Sequence, residues 1–225
     1  FVTEICVHPQ DANLILLGTE GGIQRSTDRG ETWTDIRDGL PAHITEKGEY
    51  DYSAPIVTIE IDPLNPDVIY AGVGTRRWAG KNQNLYSSLG EDEFGRGTIY
   101  KSMDRGLTWK NMSTGLHEKA NVFKIVCSHQ TENLVYAATS RGVFKSTDGG
   151  STWLLKIDGL PIPQVTSIDL SKSNDQLLYL TLKSDGDAYG VYKSIDGAEL
   201  WTAVNNGIPK LTRNNPIYLF HTIVD

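Results

Sequence analysis

The chain has 225 residues, enough for one large domain or two small ones, and its 39% hydrophobic and 22% charged residues are ordinary for a globular protein. A formal net charge of −7 argues against a nucleic-acid-binding surface. No apolar run approaches the roughly 18 residues of a membrane-spanning helix, and the histidines show no metal-ligand spacing.

The first part of the chain predicts four short β-strands. Residues 2–8 alternate apolar and polar side chains up to a proline, and residues 13–18 contain a continuous apolar run. Residues 23–26 lead into the phrase Ser26-Thr27-Asp28-Arg29-Gly30-Glu31-Thr32-Trp33, and residues 32–36 leave it. The phrase therefore joins the third strand to the fourth as the turn of a β-hairpin.

Each part of this phrase has a physical use in a turn. Asp28 can accept hydrogen bonds from nearby backbone N–H groups, and Gly30 can adopt the positive φ of a bulged hairpin loop. Trp33 starts the next strand, and burial of its ring over the hairpin contributes about 2–3 kcal/mol.

The same order of strands and phrase recurs along the chain. The phrase tryptophans lie at positions 33, 109, 153 and 201, as expected for four-stranded units of about 40–50 residues with an insertion in the second. We expect repeats at about residues 1–36, 56–112, 122–157 and 165–204, within a single segment spanning 1–225. Residues 217–225 echo the first strand of a further repeat. The residues expected to shape the four turns are Ser26, Asp28, Gly30, Trp33, Ser102, Asp104, Gly106, Trp109, Ser146, Asp148, Gly150, Trp153, Ser194, Asp196 and Trp201.

The fourth copy departs from the others because Ala198 stands where the glycine is expected. Two readings are open. Either the turn is rebuilt around Gly197, or Ala198 itself carries backbone strain.

The phrase resembles the Asp-box, or BNR repeat, of sialidases, xyloglucan-degrading glycoside hydrolases, sortilin-type receptors and the photosystem II assembly-factor family. The resemblance implies an all-β β-propeller of four-stranded antiparallel blades, here four blades and the first strand of a fifth. Four blades leave two blade faces uncovered, so we expect a piece of a larger propeller of six to eight blades. The resemblance also implies that the boxes share one face, that ligands bind the opposite face, and that the box aspartates are structural.

Two long loops belong to the second blade and suggest where a ligand binds. The entry linker covers residues 37–55, and a second loop covers residues 74–97. Loops longer than about 12–15 residues in a compact domain are usually functional or disordered. Aromatic side chains beside arginines suit stacking on sugar rings or anchoring a partner peptide, although Trp78 and Phe94 could equally fill a small core within the loop. The ligand-binding candidates are Tyr50, Tyr52, Arg76, Arg77, Trp78, Tyr86 and Phe94.

The alternative to a binding site in these loops is a catalytic site with a pair of carboxyl groups. A glycosidase needs two carboxyl groups about 5–5.5 Å apart for retention or about 6.5–9.5 Å apart for inversion. The candidates are Glu20, Asp51 and Asp92, and no spacing singles out a pair. The start of the chain resembles the first blade of xyloglucan-degrading hydrolases, in which an Asp stands where this chain has Glu20. The Arg-Ile-Pro signature of sialidases is absent.

These observations favour a non-catalytic binding or assembly propeller that recognises a protein or polysaccharide partner through the loops of blade 2. The alternative is part of a glycoside hydrolase of the xyloglucanase or sialidase type. We expect no cofactor, no metal and no nucleic acid partner. The chain begins at Phe1, so its start does not give a compartment, and we favour a secreted or extracytoplasmic location. Cys6 and Cys127 are expected to be buried thiols, with a disulfide as the alternative.

Overall fold

The computed structural model describes residues 2–40, 42–44, 50–53, 55–74, 98–182 and 190–208, with backbone alone for 42–44 and 50–53. This part of the chain is all-β and consists of four four-stranded sheets and a small hairpin, which confirms the predicted fold class. The predicted first strand of a fifth blade, residues 217–225, lies outside the described residues.

Each four-stranded sheet is one blade, and its strands follow one another in sequence order. Blade 1 contains β1 (Val2–His8), β2 (Asp11–Thr19), β3 (Gly22–Ser26) and β4 (Thr34–Ile36). The small hairpin contains β5 (Ala42–Ile44) and β6 (Tyr50–Ser53). Blade 2 contains β7 (Ile56–Ile61), β8 (Ile69–Val73), β9 (Ile99–Ser102) and β10 (Lys110–Asn111). Blade 3 contains β11 (Val122–Cys127), β12 (Val135–Thr139), β13 (Gly142–Ser146) and β14 (Leu154–Lys156). Blade 4 contains β15 (Val165–Leu170), β16 (Leu178–Leu182), β17 (Gly190–Ser194) and β18 (Thr202–Ala203).

The blades repeat one another in register as well as in strand order. In blade 2 the second strand pairs Tyr70 with Lys101 of the third, and blade 4 pairs Tyr179 with Lys193 in the same way. Because alternate residues of a strand face opposite sides of the sheet, these pairs lie at the same place on the same face of their blades. The equivalent pairs in blades 1 and 3 are Leu16 with Arg25 and Tyr136 with Lys145.

The blades stack face to face through their first strands. Strand β7 contacts β1 on one side and β11 on the other, and β11 contacts β15. An apolar cluster fills each of the three gaps between successive blades. Tyr70 and Tyr136 are completely buried in the gaps that follow blades 2 and 3. Full burial of one large apolar side chain contributes about 1.5–3 kcal/mol, so these gaps are the core of the fold.

The hairpin β5–β6 is a feature that the sequence analysis did not anticipate. Residues 37–55 were predicted to be a long entry linker, and within it His43 pairs with Tyr52 in an antiparallel ladder. The two strands have only three and four residues. Strands this short offer too few positions for an apolar–polar alternation to be recognised in the sequence.

Candidate functional site

Each Asp-box is a closed network of hydrogen bonds. In the third box the Ser146 hydroxyl donates to Asp148 Oδ1 at 2.8 Å and accepts from the N–H of Gly150 at 2.8 Å. Thr152 donates its N–H to Asp148 Oδ1 at 2.8 Å and its hydroxyl to Oδ2 at 2.6 Å. The Thr152 hydroxyl is the main reason that the pKa of Asp148 falls to about 2. The first two boxes repeat this arrangement.

The fourth box keeps the same turn without its glycine. The N–H of Ala198 donates to the Ser194 hydroxyl at 2.9 Å, as the box glycine does elsewhere. Ala198 has a φ of 74°, so the residue itself adopts the left-handed conformation and the turn is not rebuilt around Gly197. Leu200 replaces the box threonine, so Asp196 receives the Leu200 N–H at 3.0 Å and no hydroxyl from that position.

The boxes lie at the blade edge that carries the turns between first and second strands. The N–H of Arg105, next to the box aspartate of blade 2, donates to the Asp67 carbonyl at 3.1 Å. The N–H of Gly149 donates to the Asn133 carbonyl at 2.9 Å in blade 3. Since strands run antiparallel, the connections between second and third strands leave from the opposite edge.

The two long segments of blade 2 start from neighbouring points on that opposite edge. The N–H of Gly74 donates to the Pro55 carbonyl at 3.2 Å, which joins the end of the entry linker to the start of the second loop. The N–H of Val73 donates to the Thr98 carbonyl at 2.9 Å, which closes the base of the second loop. We call the surface around Pro55, Gly74 and Thr98 the loop base.

The structure describes only part of the predicted ligand and catalytic sets. Glu20 lies half-buried in the turn between β2 and β3, where the Thr19 hydroxyl donates to the Gly22 carbonyl at 3.0 Å. Tyr50, Asp51 and Tyr52 belong to β6 and are described by their backbone alone. The candidates outside the described residues are Arg76, Arg77, Trp78, Tyr86, Asp92 and Phe94.

A charged cluster on the first strands of blades 1 to 3 was missed by the sequence analysis. The ammonium of Lys124 lies 3.4 Å from Glu4 Oε1 and 4.0 Å from Glu60 Oε2. The backbone N–H of Cys127 donates to Glu60 Oε1 at 3.3 Å. Burial raises the pKa of Glu60 to about 7, against the opposing influence of Lys124. The sequence signal that could have revealed this cluster is Glu60, a carboxylate between Ile59 and Ile61 in an apolar strand.

The two cysteines are free thiols, so the disulfide alternative is wrong. Cys127 is buried and Cys6 is partly buried. Burial is the main cause that raises the pKa of Cys6 to about 11, and the charge of Glu60 adds to it. Neither thiol is therefore poised as a nucleophile at neutral pH.

No set of three His, Cys, Asp or Glu side chains in the described ranges is placed to hold a metal ion. Within the described residues no helix has the length and apolar character needed to cross a membrane.

Repeated boxes on stacked four-stranded sheets define the class of this molecule as an Asp-box β-propeller. No family model matches the chain. It is 26% identical over 206 residues to a xyloglucanase from Hypocrea jecorina, a match that covers 84% of this chain and 22% of that protein. The chain is therefore similar to BNR β-propellers, among them GH74 xyloglucanases and a YCF48 protein.

Solved structures give the same result. The crystal structure of an ancestral GH74 enzyme is 25% identical, with a TM-score of 0.72, over 92% of this chain and 26% of that one. YCF48 from Cyanidioschyzon merolae is 17% identical, with a TM-score of 0.53, over 90% of this chain and 55% of that one, which shows the shared fold. The chain thus spans about a quarter of the length of the GH74 enzyme that it matches.

Proposed function

We propose that this chain is a non-catalytic propeller scaffold that recognises a protein or polysaccharide partner through the two long loops of blade 2. The observation that carries the proposal is the hydrogen bond from Gly74 N–H to the Pro55 carbonyl at 3.2 Å. Because this bond joins the bases of both loops, residues from two separate segments start from one place and can act on one ligand.

The composition of the two loops fits recognition. The entry segment supplies Tyr50 and Tyr52, and the second loop supplies Arg76, Arg77 and Trp78. Aromatic faces stack on sugar rings and fill pockets on proteins, while arginine donates hydrogen bonds in a fixed planar array. Tryptophan, tyrosine and arginine are also the residues that dominate binding energy at protein interfaces.

The box aspartates do not suit a catalytic role in this proposal. Both oxygens of Asp148 are used by groups of its own turn, and its pKa of about 2 lies far from the range of a general acid or base at neutral pH. The boxes also lie at the edge opposite the loop base.

A second candidate function is hydrolysis of a glycan, favoured by the similarity to relatives named as xyloglucanases. Glu20 lies in the turn between β2 and β3, which leaves from the same edge as the loop base. A glycosidase would need a second carboxyl group, for which Asp51 and Asp92 are the candidates.

The two functions are separated by measuring binding and turnover on the same preparations. Retention on immobilised xyloglucan, β-glucan and sialosides is measured by affinity electrophoresis, and released reducing ends or sialic acid are assayed in parallel. Binding to a purified protein partner, once captured, is measured by calorimetry. We expect Trp78→Ala to weaken binding at least tenfold, while Leu154→Ala, at an exposed site on the outer strand of blade 3, leaves it unchanged.

Two results would contradict the proposal. Turnover of any of these glycans that Glu20→Gln abolishes while binding persists would establish the hydrolase instead. Full binding by a variant that carries Trp78→Ala together with Arg76→Ala and Arg77→Ala would remove the blade 2 loops as the recognition surface.

A further inference from the structure

The box of a blade contacts the face of the preceding blade through the carbonyl group of its fourth residue, the one after the box aspartate. Between blades 1 and 2 this residue is Arg105, and the Nε–H of Arg25 donates to its carbonyl at 3.1 Å. Arg25 pairs across blade 1 with the buried Leu16. We call such a pair of residues on the preceding blade a socket, so the first socket is a Leu–Arg socket.

The second socket, between blades 2 and 3, has a tyrosine and a lysine in place of the leucine and the arginine. The Tyr70 hydroxyl and the Lys101 ammonium both donate to the Gly149 carbonyl, at 3.1 and 2.9 Å. The ammonium also lies 5.2 Å from the centre of the Tyr70 ring, within the range of a cation–π contact. Two donors therefore hold the carbonyl of the fourth box residue.

The third socket, between blades 3 and 4, repeats the second. The Tyr136 hydroxyl and the Lys145 ammonium donate to the Gly197 carbonyl at 3.3 and 2.9 Å. Both Tyr–Lys sockets thus receive a box whose fourth residue is a buried glycine, whereas the Leu–Arg socket receives a box whose fourth residue is an exposed arginine.

The Tyr–Lys sockets leave little space for a side chain on the fourth box residue. A Cβ on Gly149 would lie 2.8 Å from Lys101 Nζ and 2.8 Å from Asn133 Oδ1. A Cβ on Gly197 would lie 3.3 Å from Lys145 Nζ. A side chain at this position therefore displaces the ammonium from the carbonyl. The hydrogen bond that is lost has a charged donor, and such bonds contribute more than neutral ones.

The arginine of an arginine-type box is held by the blade that carries it. Arg105 Nε donates to Asp67 Oδ1 at 2.6 Å, and its side chain is 45% exposed. The backbone of the same two residues is joined as well, because the Arg105 N–H donates to the Asp67 carbonyl at 3.1 Å. In the first box Arg29 donates its Nε–H to Asn13 Oδ1 at 3.0 Å in the same way. The arginine thus occupies the space beside the carbonyl that Lys101 and Lys145 occupy at the glycine-type boxes.

The other contacts between successive blades do not distinguish one box from another. In the three interfaces the backbone N–H of the box tryptophan donates to a carbonyl of the preceding blade, at 3.0, 2.9 and 2.9 Å. The boxes also share their internal bond from the serine hydroxyl to the aspartate. Repeats that are this similar can pair in the wrong order, which is a characteristic way for repeat proteins to misfold.

We propose that the fourth residue of the box decides which socket a box can enter, and that arginine at this position excludes a box from the Tyr–Lys sockets. The box of blade 2 therefore cannot take the place of the boxes of blades 3 and 4, and it is directed to the Leu–Arg socket of blade 1. Specificity of this kind comes from a penalty against the wrong partner. The inference concerns contacts among blades 1 to 4 and is independent of the proposed binding function.

The test changes the type of a socket in the 225-residue chain and measures the equilibrium constant for unfolding by urea denaturation. Gly149→Ala and Gly149→Arg are each introduced into the natural socket and into a socket converted by Tyr70→Leu and Lys101→Arg. Residue 149 has a φ of 67°, and the strain of a side chain there is the same with both sockets, so it cancels in the comparison. We expect Gly149→Ala to raise the unfolding constant about tenfold more in the natural socket than in the converted one. Gly149→Arg should show a larger difference.

The first interface provides the reverse exchange. Leu16→Tyr with Arg25→Lys converts its socket to the Tyr–Lys type, and we expect the chain to be destabilised because Arg105 then contacts a lysine. Arg105→Gly is measured with both sockets. Its effect on the unfolding constant should be about tenfold more favourable in the converted socket than in the natural one.

Thr147→Arg is the matched control, because it adds the same charged side chain to the same box at an exposed position two residues before Gly149. Its effect on the unfolding constant should be equal with the natural and the converted socket. If the converted socket of blade 2 does not fold, Lys101→Arg alone takes its place, because that change keeps both the cation and Tyr70.

Three outcomes would overturn the proposal. Equal effects of Gly149→Ala with both sockets would leave backbone strain as its whole cost. A failure of Arg105→Gly to recover stability in the converted socket of blade 1 would show that the socket does not sense the fourth residue. A dependence of Thr147→Arg on the socket, as large as that of Gly149→Arg, would assign the effect to the charge of the box.

Discussion

Gly39 and Trp109 belong to successive blades, and the carbonyl oxygen of Trp109 lies where the Cβ of any other residue at position 39 would be. The N–H of Trp109 simultaneously donates to the Asp38 carbonyl at 3.0 Å. The left-handed conformation of this one turn, with a φ of 77° at Gly39, therefore sets how closely two blades approach.

The first prediction separates this close approach from backbone strain. Gly39→Ala and Gly207→Ala both place alanine at a positive φ, which costs about 1–2 kcal/mol. Only Gly39→Ala also forces two blades apart, so we expect it to lower the free energy of unfolding by about 1–3 kcal/mol more than Gly207→Ala does. Chemical denaturation of both variants, at concentrations where the chain is monomeric, measures the difference. Equal losses would mean that blade contact contributes nothing at this glycine.

The second prediction concerns the hydroxyl that joins blade 2 to the box of blade 3. Tyr70→Phe removes a buried hydrogen bond to the Gly149 carbonyl, and we expect a loss of about 0.5–1.5 kcal/mol in the free energy of unfolding. The matched change Tyr179→Phe removes a hydroxyl that has no partner within the described residues, and it should cost nothing measurable in the monomer. A loss of the same size at Tyr179 would contradict this account.

The third prediction follows from the low pKa of Asp148, about 2 against an ordinary 3.8. A depressed pKa stabilises the folded state above pH 3.8, and this stabilisation is lost as the pH falls from 3.8 through 2. Thr152→Val removes the hydroxyl that is the largest cause, so the pKa of Asp148 should rise and acid unfolding should begin at higher pH. Carboxyl chemical shifts measured by NMR during an acid titration give the pKa directly.

The fourth box provides the reverse experiment. Leu200 occupies the position of the threonine, and the pKa of Asp196 is lowered mainly by the Ser194 hydroxyl. Leu200→Thr adds a hydroxyl donor at the place where Thr152 stands in the third box, so the pKa of Asp196 should fall further. An unchanged Asp196 titration would show that the box threonine does not set the pKa.

The fourth prediction concerns Glu60, whose pKa is raised from 4.5 to about 7, chiefly by burial. Because the folded state holds the proton of Glu60 more tightly than the unfolded state does, this carboxyl group contributes its full stabilisation below pH 4.5. The contribution is lost as the pH rises through 7. Glu60→Gln keeps the neutral form at every pH, so its free energy of unfolding should fall less than that of the wild type between pH 4.5 and 7. Denaturation at a series of pH values measures the two slopes.

The control for that experiment is Glu132→Gln, which removes one exposed carboxylate far along the chain from the cluster. Parallel pH profiles for the wild type and Glu60→Gln would contradict the raised pKa. If Glu132→Gln also weakened the pH dependence of the free energy of unfolding to the same extent, net charge and not the burial of Glu60 would explain the effect.

Much of the architecture could be read from local patterns. A box such as Ser146 to Trp153 is closed by bonds within eight residues, so its turn is recognisable wherever the phrase occurs. Strands beside it carry runs of β-branched and apolar residues that need no distant partner to be identified. The sequence also shows that Asp38-Gly39-Leu40 recurs as Asp158-Gly159-Leu160. It does not show that the aspartate carbonyl accepts the backbone N–H of the box tryptophan of the next blade.

The site was less accessible to the same reasoning. The sequence indicated two long loops in blade 2. Their common base depends on the hydrogen bond from the Gly74 N–H to the Pro55 carbonyl, which forms only when the strand after Pro55 pairs with the strand before Gly74. The hairpin β5–β6 was missed because its strands are too short to show a periodic pattern.

The order of the strands, the position of each box and the blade period follow from the sequence alone, because hydrogen bonds between near neighbours decide them. The close approach of Gly39 to Trp109, the elevated pKa of Glu60 and the exposure of Trp33 were decided only in the folded molecule. Each depends on which surfaces meet between blades, and desolvation and steric exclusion act between residues that the chain order separates widely.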